Sequence, residues 1–458
     1  MIRPDSALTD SRVAVARVSP AGYEDAGRVE EAVACAAALL DWNQDGKPLG
    51  KVISRGDRVL IKPNLVTHSN QGPWGMGPLI TNASQIAAVV KAALKSNPGE
   101  VLVGDAPVQG CDFDRLLSES GIGDVCRRIQ TACPRFKGIV DFRRTSCEFV
   151  AGVRRPHEDL RDTNRFVLFD LGDQSLLEEI TGDEPSFRVT CYDPVLLART
   201  HSKGRHQYLV AREVIDSDLI INLPKLKTHK KAGMTCALKN LIGINGNKEY
   251  LPHHRVGSIR SGGDCYPGRN VLKKSWEYAL DRMNSAGSIS AARIWSQAAT
   301  QIGRAVSITG DRLGVEGSWS GNDTIWRTCL DLNRILIYGR ADGTLADAPQ
   351  RKVIHIVDAV IAGHGDGPLK PQPLPLGLIL AGSNPAAVDW IGAQLLGYEP
   401  NRIPCVNNAF GSFRWPLTVF EPAGVDVCGD LGNTAEEIKK YGDRFQIRSP
   451  DGWIDAKR

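Results

Sequence analysis

The sequence predicts an α/β protein: a mixed, mostly parallel sheet flanked by helices, with an inserted small β-rich region and a helical segment. Three observations predict it. Short apolar runs rich in Val, Ile and Leu recur (59–61, 101–103, 219–221, 353–357 and 376–381), as expected of strands buried on both faces. Stretches with apolar residues at helical spacing separate several of these runs. Five of the runs end in polar turns bearing glycine or proline, at Lys62, Asp105, Lys225, Asp358 and Ser383. Open α/β sheets bind their ligands at that carboxyl edge.

In chain order, RVAVAR (12–17) alternates like a strand, and 27–42 carries helix-spaced apolar residues. The strand at 59–61 stops at Lys62-Pro63-Asn64, which sets an ammonium and an amide at the sheet edge or, taken alone, only caps a strand. A Gly/Pro-rich stretch at 70–78 around Trp74 reads as a loop, and Thr81 or Asn82 caps a helix over about 83–95. The strand at 101–103 runs into Gly104-Asp105-Ala106-Pro107, where Asp105 suits a base, a metal ligand or an N-cap. A helix is expected from about Asp112.

Short strand-like runs over 137–215 predict a β-rich insertion, in which Arg143, Arg144, Arg154 and Arg155 read as a solvated face. A buried strand then leads into NLPKLKTHKKAGMTCALKNLIGINGNKEYLPHHR (222–255). Six lysines, Lys225, Lys227, Lys230, Lys231, Lys239 and Lys248, crowd this stretch together with His229, with Glu249 as its single acid. A solvated helix face mixes charge signs. Lysines beside Gly233, Gly243 and Gly246 at a strand end suit a carboxylate, phosphate or sulfate, because glycine lets backbone N–H groups approach and lysine supplies a point charge.

Helices are expected over about 271–284 and 288–308, and Asp323, Arg327, Asp331 and Asn333 fall near helical spacing, with Arg327 and Asp331 placed to pair. The strand at 353–357 ends at Asp358. Gly363 to Pro368 reads as a glycine-flanked loop projecting His364 and Asp366 as a proton-transfer pair or, alternatively, as a turn in which Asp366 bonds its own backbone. The final unit is a strand, a Gly-Ser-Asn-Pro turn and a helix from Pro385, with Asp389 favouring that helix's N-terminus. The organisation expected is 1–136, an N-terminal α/β half; 137–215, the β-rich insertion; 216–256, a central basic motif completing the sheet edge; 257–345, mostly helical; and 346–458, a C-terminal α/β half.

At 458 residues, 42% hydrophobic and 24% charged, the chain has ample core material. A net charge of +4 and the lack of an aromatic platform beside the basic stretch argue against nucleic acid as a partner. No apolar run is long enough for a membrane span and the N-terminus carries no apolar export core, so a cytoplasmic location is expected. The eleven cysteines contain no CxxC pair, hence no ferredoxin-type iron–sulfur motif.

The segments LIKPNLV, GDAPVQG, NLPKLKTH, TCALKNLIG, VDAVIAGHGDGPL and GSNPAAVDWIGAQLLG together resemble the family called domain of unknown function 362, from about residue 55 to 400. The resemblance implies the α/β fold and the strand-end site. Its matching polar positions are Lys62, Asn64, Lys225, Lys227, His229, Lys239, Asn240, Asp358, Asp366 and Asp389. Some relatives carry a ferredoxin-type cysteine motif or an exported N-terminus, neither of which is present in this sequence.

These residues suit an enzyme acting on a small anionic metabolite. Lys62, Lys225, Lys227 and Lys239 hold the anion, Asn64 and Asn240 orient it, and His229 or His364 moves a proton with Asp105 or Asp366. His229, His253, His254 and His364 with Asp105, Asp358 or Asp366 are also donors of the kind that bind a divalent metal. The other class open to this sequence is a non-catalytic binding protein for an anionic cofactor, a glycan precursor or a partner. The P-loop and dinucleotide fingerprints are missing.

Overall fold

The computed structural model describes residues 3–19, 22–150 and 153–457. Side chains of 149–159, including Arg154 and Arg155, lie outside the described residues. One 11-stranded sheet organises the chain. Its strands are β1 (Arg12–Arg17), β2 (Arg58–Pro63), β3 (Glu100–Asp105), β4 (Phe136–Asp141), β5 (Leu219–Leu223), β6 (Lys225–His229), β7 (Gly233–Thr235), β8 (Lys352–Asp366), β9 (Lys370–Leu374), β10 (Leu378–Gly382) and β11 (Asp426–Gly429). The main path runs β11-β1-β10-β8-β5-β2-β3-β4. Every neighbouring pair from β8 through β4 is parallel, and β10 is antiparallel to both β8 and β1. The sheet is therefore mixed and mostly parallel, as the apolar runs predict.

Strand alternation sends side chains to opposite faces. Val59, Ile61, Leu219, Ile221 and Ile354 join helices α1 (Ala26–Leu39) and α2 (Ala83–Leu94) in one core. Leu60, Ile220 and Val353 join a second core on the other face. That core includes the wholly buried helix α6 (Ile325–Tyr338). Numbered before it, α3 is Ala237–Asn240, α4 is Val271–Asn284 and α5 is Ile289–Ile308; α7 is Pro385–Leu395. The caps follow from the sequence: Asn82 opens α2, Asn270 opens α4, and Asn384 opens α7 with proline in its first turn.

The sheet differs from expectation in two places. The run at 138–142 is not an insertion strand: Phe136–Asp141 pairs with β3 and forms the sheet's edge. The hairpin Thr145–Val150/Val153–Asp159 and the small sheet of Phe166–Asp170, Arg205–Ala211 and His201–Ser202 come after it. The strand leading into the basic stretch is central, lying between β8 and β2, as a run buried on both faces requires. Gly363-His364-Gly365-Asp366 is not a loop, because β8 continues to Asp366 and pairs there with β9. β6, which follows β5 after Pro224, runs beside this extension with a bulge between Lys225 and Lys227. Together β6, β7, β8 and β9 form an arm beyond the carboxyl edge.

A buried ion pair anchors the arm. Lys225 Nζ lies 2.7 Å from Asp358 Oδ2, with both side chains inaccessible to solvent. Tyr23 Oη donates to Asp358 Oδ1 (2.6 Å) and accepts from Lys225 Nζ (2.7 Å) and the Ile361 N–H (3.1 Å). Burial and the Asp358 charge hold the phenol neutral, well above its ordinary pKa. Tyr23→Phe strips three hydrogen bonds from this anchor and is expected to lower unfolding stability by about 1–3 kcal/mol in urea titrations. Breaking the exposed Lys440–Glu436 pair with Lys440→Ala is expected to leave the urea midpoint unchanged.

Candidate functional site

At the ends of β2, β3 and β5, a chain of buried polar side chains crosses the sheet. Lys62 Nζ lies 2.5 Å from Asp105 Oδ1 and donates to the Pro63 carbonyl (2.8 Å) and Asn240 Oδ1 (3.3 Å). Asp105 Oδ2 accepts from the Leu65 N–H (2.7 Å). Asn240 Nδ2 donates to Asn222 Oδ1 (2.7 Å), and Asn222 Nδ2 donates to His355 Nδ1 (3.0 Å). Burial pushes the His355 imidazole down to about 3, so it is neutral. This chain requires Gly243: a Cβ there would stand 2.0 Å from Asp105 Oδ1 and 2.7 Å from Lys62 Nζ.

Asp389 on α7 holds the start of α3 from the side. Its Oδ1 accepts from the Ala237 N–H (2.6 Å) and its Oδ2 from the Leu238 N–H (3.2 Å). The carboxyl thus serves another helix rather than its own. Burial raises it to about 7. Fixed in this way, α3 presents Lys239 toward the arm's lysines.

Lys227, Lys239 and Lys248 differ from Lys62 and Lys225 in one respect. Among the described residues, none of the three has a carboxylate within ion-pair distance. Lys227 is fully buried, donating to Asn64 Oδ1 (2.6 Å) and to the Leu79 carbonyl. It passes Gly363, where a Cβ would stand 2.7 Å from the Lys227 Cβ. Burial, then the Lys225 and Lys239 charges, hold its pKa well below the lysine range. Lys239 is half-buried, and burial lowers its pKa against the opposing effect of the Cys329 and Cys405 thiols. Lys248 is lowered to about 8 by burial and by Lys239.

Two histidines share this environment. His229 Nδ1 accepts from the Lys231 N–H (3.0 Å) and the Ala232 N–H (3.3 Å), so its own proton sits on Nε2. His253 Nδ1 donates to the Leu251 carbonyl (2.6 Å), which leaves Nε2 as a lone-pair acceptor. The backbone fixes opposite tautomers. Burial holds both rings neutral, reinforced at His229 by Lys239 and Lys227 and at His253 by Lys231 and Lys248.

The expected constellation is thus divided. Lys62, Asn64, Asp105, Lys227, His229, Lys239 and Asn240 gather at the strand ends, Asp105 paired with Lys62, whereas Lys225 is held by Asp358. His364 is half-buried on the arm and accepts from the Arg448 N–H (3.0 Å), and the nearest cation to Asp366 is Lys230 at 3.8 Å. His364 and Asp366 do not bond to each other. Nor does Arg327 pair with Asp331: Arg327 meets Glu179 (2.7 Å) and Asp323, and Asp331 meets Arg334 (2.9 Å). Among the described residues no three His, Cys, Asp or Glu side chains stand together as a metal-holding group. A groove of about 720 Å³ between α4 and α5, lined by Trp276, Met283 and Gly303, shares no residue with the lysine cluster. Sequence reasoning missed Asn222, His355 and Tyr23. Nothing local marks Tyr23, 202 residues before its lysine.

Asp105→Asn leaves Lys62 buried without its counter-charge and is expected to cost about 3–5 kcal/mol by chemical denaturation. Lys239→Gln removes an ammonium that has no carboxylate beside it, and the denaturation midpoint is expected to stay or rise. Because the folded pKa of Lys248 is depressed, the unfolded chain binds more protons between about 8 and 10.5. Stability therefore rises with pH across that window, and Lys248→Gln is expected to flatten the rise in melts taken at stepped pH.

The thylakoid-associated protein sll1697 of Synechocystis sp. is 22% identical over 356 residues, covering 78% of this chain and 68% of that protein. Two solved structures align at TM-scores of 0.32 and 0.34: a structural-genomics protein from Thermotoga maritima (10% identity, 76% of this chain) and the lactate racemase apoprotein from Thermoanaerobacterium thermosaccharolyticum (11% identity, 87% of this chain). The alignments span 53% and 59% of those two chains. No helix among the described residues is long and apolar enough to cross a membrane. The sequence profile of the family described as Domain of unknown function (DUF362) matches residues 59–151 and 184–394, and the chain belongs to that family.

Proposed function

We propose that the protein is an enzyme that binds a small anionic metabolite, bearing a carboxylate or phosphate, at the carboxyl edge of the sheet and moves a proton on it. The observation that carries this reading is the unequal treatment of the buried lysines. Lys62 and Lys225 each have a carboxylate within 2.7 Å, whereas among the described residues Lys227, Lys239 and Lys248 have none within ion-pair distance, Asp105 reaching Lys227 and Lys248 only through its field. Unpaired buried charge is costly, and a bound anion supplies the missing counter-charge. Lys239 and Lys248 contact that anion, Lys227 is aimed by Asn64, and the Lys62–Asp105–Asn240 chain holds the strand ends in place.

The opposite tautomers support acid–base chemistry. His229 offers a proton from Nε2, and His253 offers a lone pair on Nε2, both neutral near physiological pH. The expected partners of His229 are therefore lysines and a second imidazole instead of Asp105 or Asp366.

Two measurements test the reading. Thermal-shift titration with inorganic phosphate, acetate and dicarboxylates is expected to stabilise the protein, an effect lost at high salt, and Lys239→Gln is expected to weaken binding by about 10- to 100-fold. NMR of a carboxylic-acid panel in D₂O is expected to show exchange of a hydrogen next to the carboxylate, lost in His229→Gln with anion binding kept. Binding without exchange across the panel would instead favour a non-catalytic protein for an anionic cofactor, glycan precursor or partner. Absence of any anion effect would remove the basic cluster from the function.

A further inference from the structure

Thr200 and His201, where the helix Pro194–Thr200 of the β-rich insertion ends, both hold the turn Lys248–Tyr250 of the basic stretch. Thr200 Oγ1 donates to the Glu249 carbonyl (2.7 Å), and His201 Nε2 lies 3.1 Å from the Tyr250 carbonyl. The near end of this turn is fixed to the insertion's strand Arg205–Ala211: the Gly246 N–H donates to the Leu209 carbonyl (2.8 Å) and the Leu209 N–H to Asn245 Oδ1 (2.7 Å). Lys248 lies between the two anchors. The far anchor runs deeper into the insertion, because His201 Nδ1 lies 3.3 Å from His206 Nδ1, and His206 Nε2 lies 3.0 Å from Glu178 Oε2. Both rings are buried.

Glu178, His206, His201 and the Tyr250 carbonyl form a line of three contacts, and each contact needs a proton. A carbonyl only accepts, so the first proton sits on His201 Nε2. The two facing Nδ1 atoms need one proton between them. The contact with Glu178 needs a third, on the imidazole because it is more basic than a carboxylate. Thr181 Oγ1, 3.4 Å from His206 Nε2, supplies none, since its hydroxyl donates to the Leu177 carbonyl (2.7 Å). Two neutral imidazoles carry only two ring protons. One contact therefore lapses unless the pair binds one more.

The surroundings fix how many protons are taken. Asp170 accepts the His206 backbone N–H (3.0 Å), Asp331 accepts from Tyr208 Oη (2.9 Å), and Phe187 and Tyr208 pack on the imidazoles in T-shaped contacts. Burial and then the charge of His206 lower His201 to about 3, and burial lowers His206 against the pull of Glu178, Asp331 and Asp170. A charge on one ring opposes a charge on the other, so the pair takes one extra proton, on the acid side of the ordinary histidine value of about 6.5. We infer that Glu178, His206 and His201 form an acid-operated latch: one bound proton completes the line and ties the β-rich insertion to the far end of the Lys248 turn, and loss of that proton frees the end. The latch does not depend on the anion reading, since it acts on the turn with or without a bound anion.

The test is hydrogen–deuterium exchange of the full chain from about pH 5 to 8, read by mass spectrometry and corrected for the intrinsic pH dependence of exchange. The peptide carrying Lys248–Tyr250 is expected to lose protection about tenfold as the pH rises through a single-proton transition, while a peptide from β10 keeps its protection. Glu178→Gln removes the carboxylate that draws the proton and is expected to move the midpoint about one pH unit toward acid. A merely structural Glu178 would lower protection and leave the midpoint in place. His201→Phe, which keeps a ring in the T-shaped contacts, is expected to abolish the transition. Histidine ¹⁵N spectra of the unaltered protein decide even if a variant fails to fold: across the same range the two rings are expected to gain one proton between them. Flat protection, a transition shared by β10, a midpoint unmoved in Glu178→Gln, or a gain of no proton or of two overturns the latch.

Discussion

Burying lysine at the ends of strands is the constraint on which the rest of this structure depends. An ammonium taken out of water must find a carboxylate, a set of carbonyl acceptors or a means of losing its proton. The protein uses each of these. Lys62 and Lys225 have Asp105 and Asp358, Lys227 has Asn64 and the Leu79 carbonyl, and Lys239 and Lys248 have depressed pKa values with no carboxylate in ion-pair contact among the described residues. The two neutralised pairs hold strand ends and arm in place.

Much of the architecture serves this arrangement. The arm exists because β8 runs 15 residues, long enough to pair first with β5 and then with β6 and β9. Its glycine at 363 gives passage to Lys227, and Gly243 gives passage to the Lys62–Asp105 pair. Asp389 fixes the start of α3 and so the direction of Lys239. Positions that look permissive in the sequence are therefore the most tightly specified.

The sheet was legible in the sequence because its strands are buried on both faces and so appear as unbroken apolar runs ending in polar turns. The lysine cluster was legible because six lysines and a histidine against one acid is not how a solvated surface is composed. Partnership was not legible. Lys225 looks like Lys227 in the sequence, yet one is neutralised by Asp358 and the other is not, a distinction set by contacts 133 residues away along the chain and by Tyr23. The glycines flanking His364 and Asp366 suggest a loop at 363–368, where tertiary pairing with β9 extends the strand instead.

The position of β1 has a consequence for how the protein is made. Arg12–Arg17 lies between β10 and β11, pairing Val13 with Gly382 and with Val427, so no strand from the first half of the chain completes it. During synthesis this segment leaves the ribosome well before its partner strands at 378–382 and 426–429, and its edges stay unpaired until they follow. Closure of the sheet is accordingly a late, long-range event, and the apolar first strand is a natural client for a chaperone until the C-terminal strands arrive.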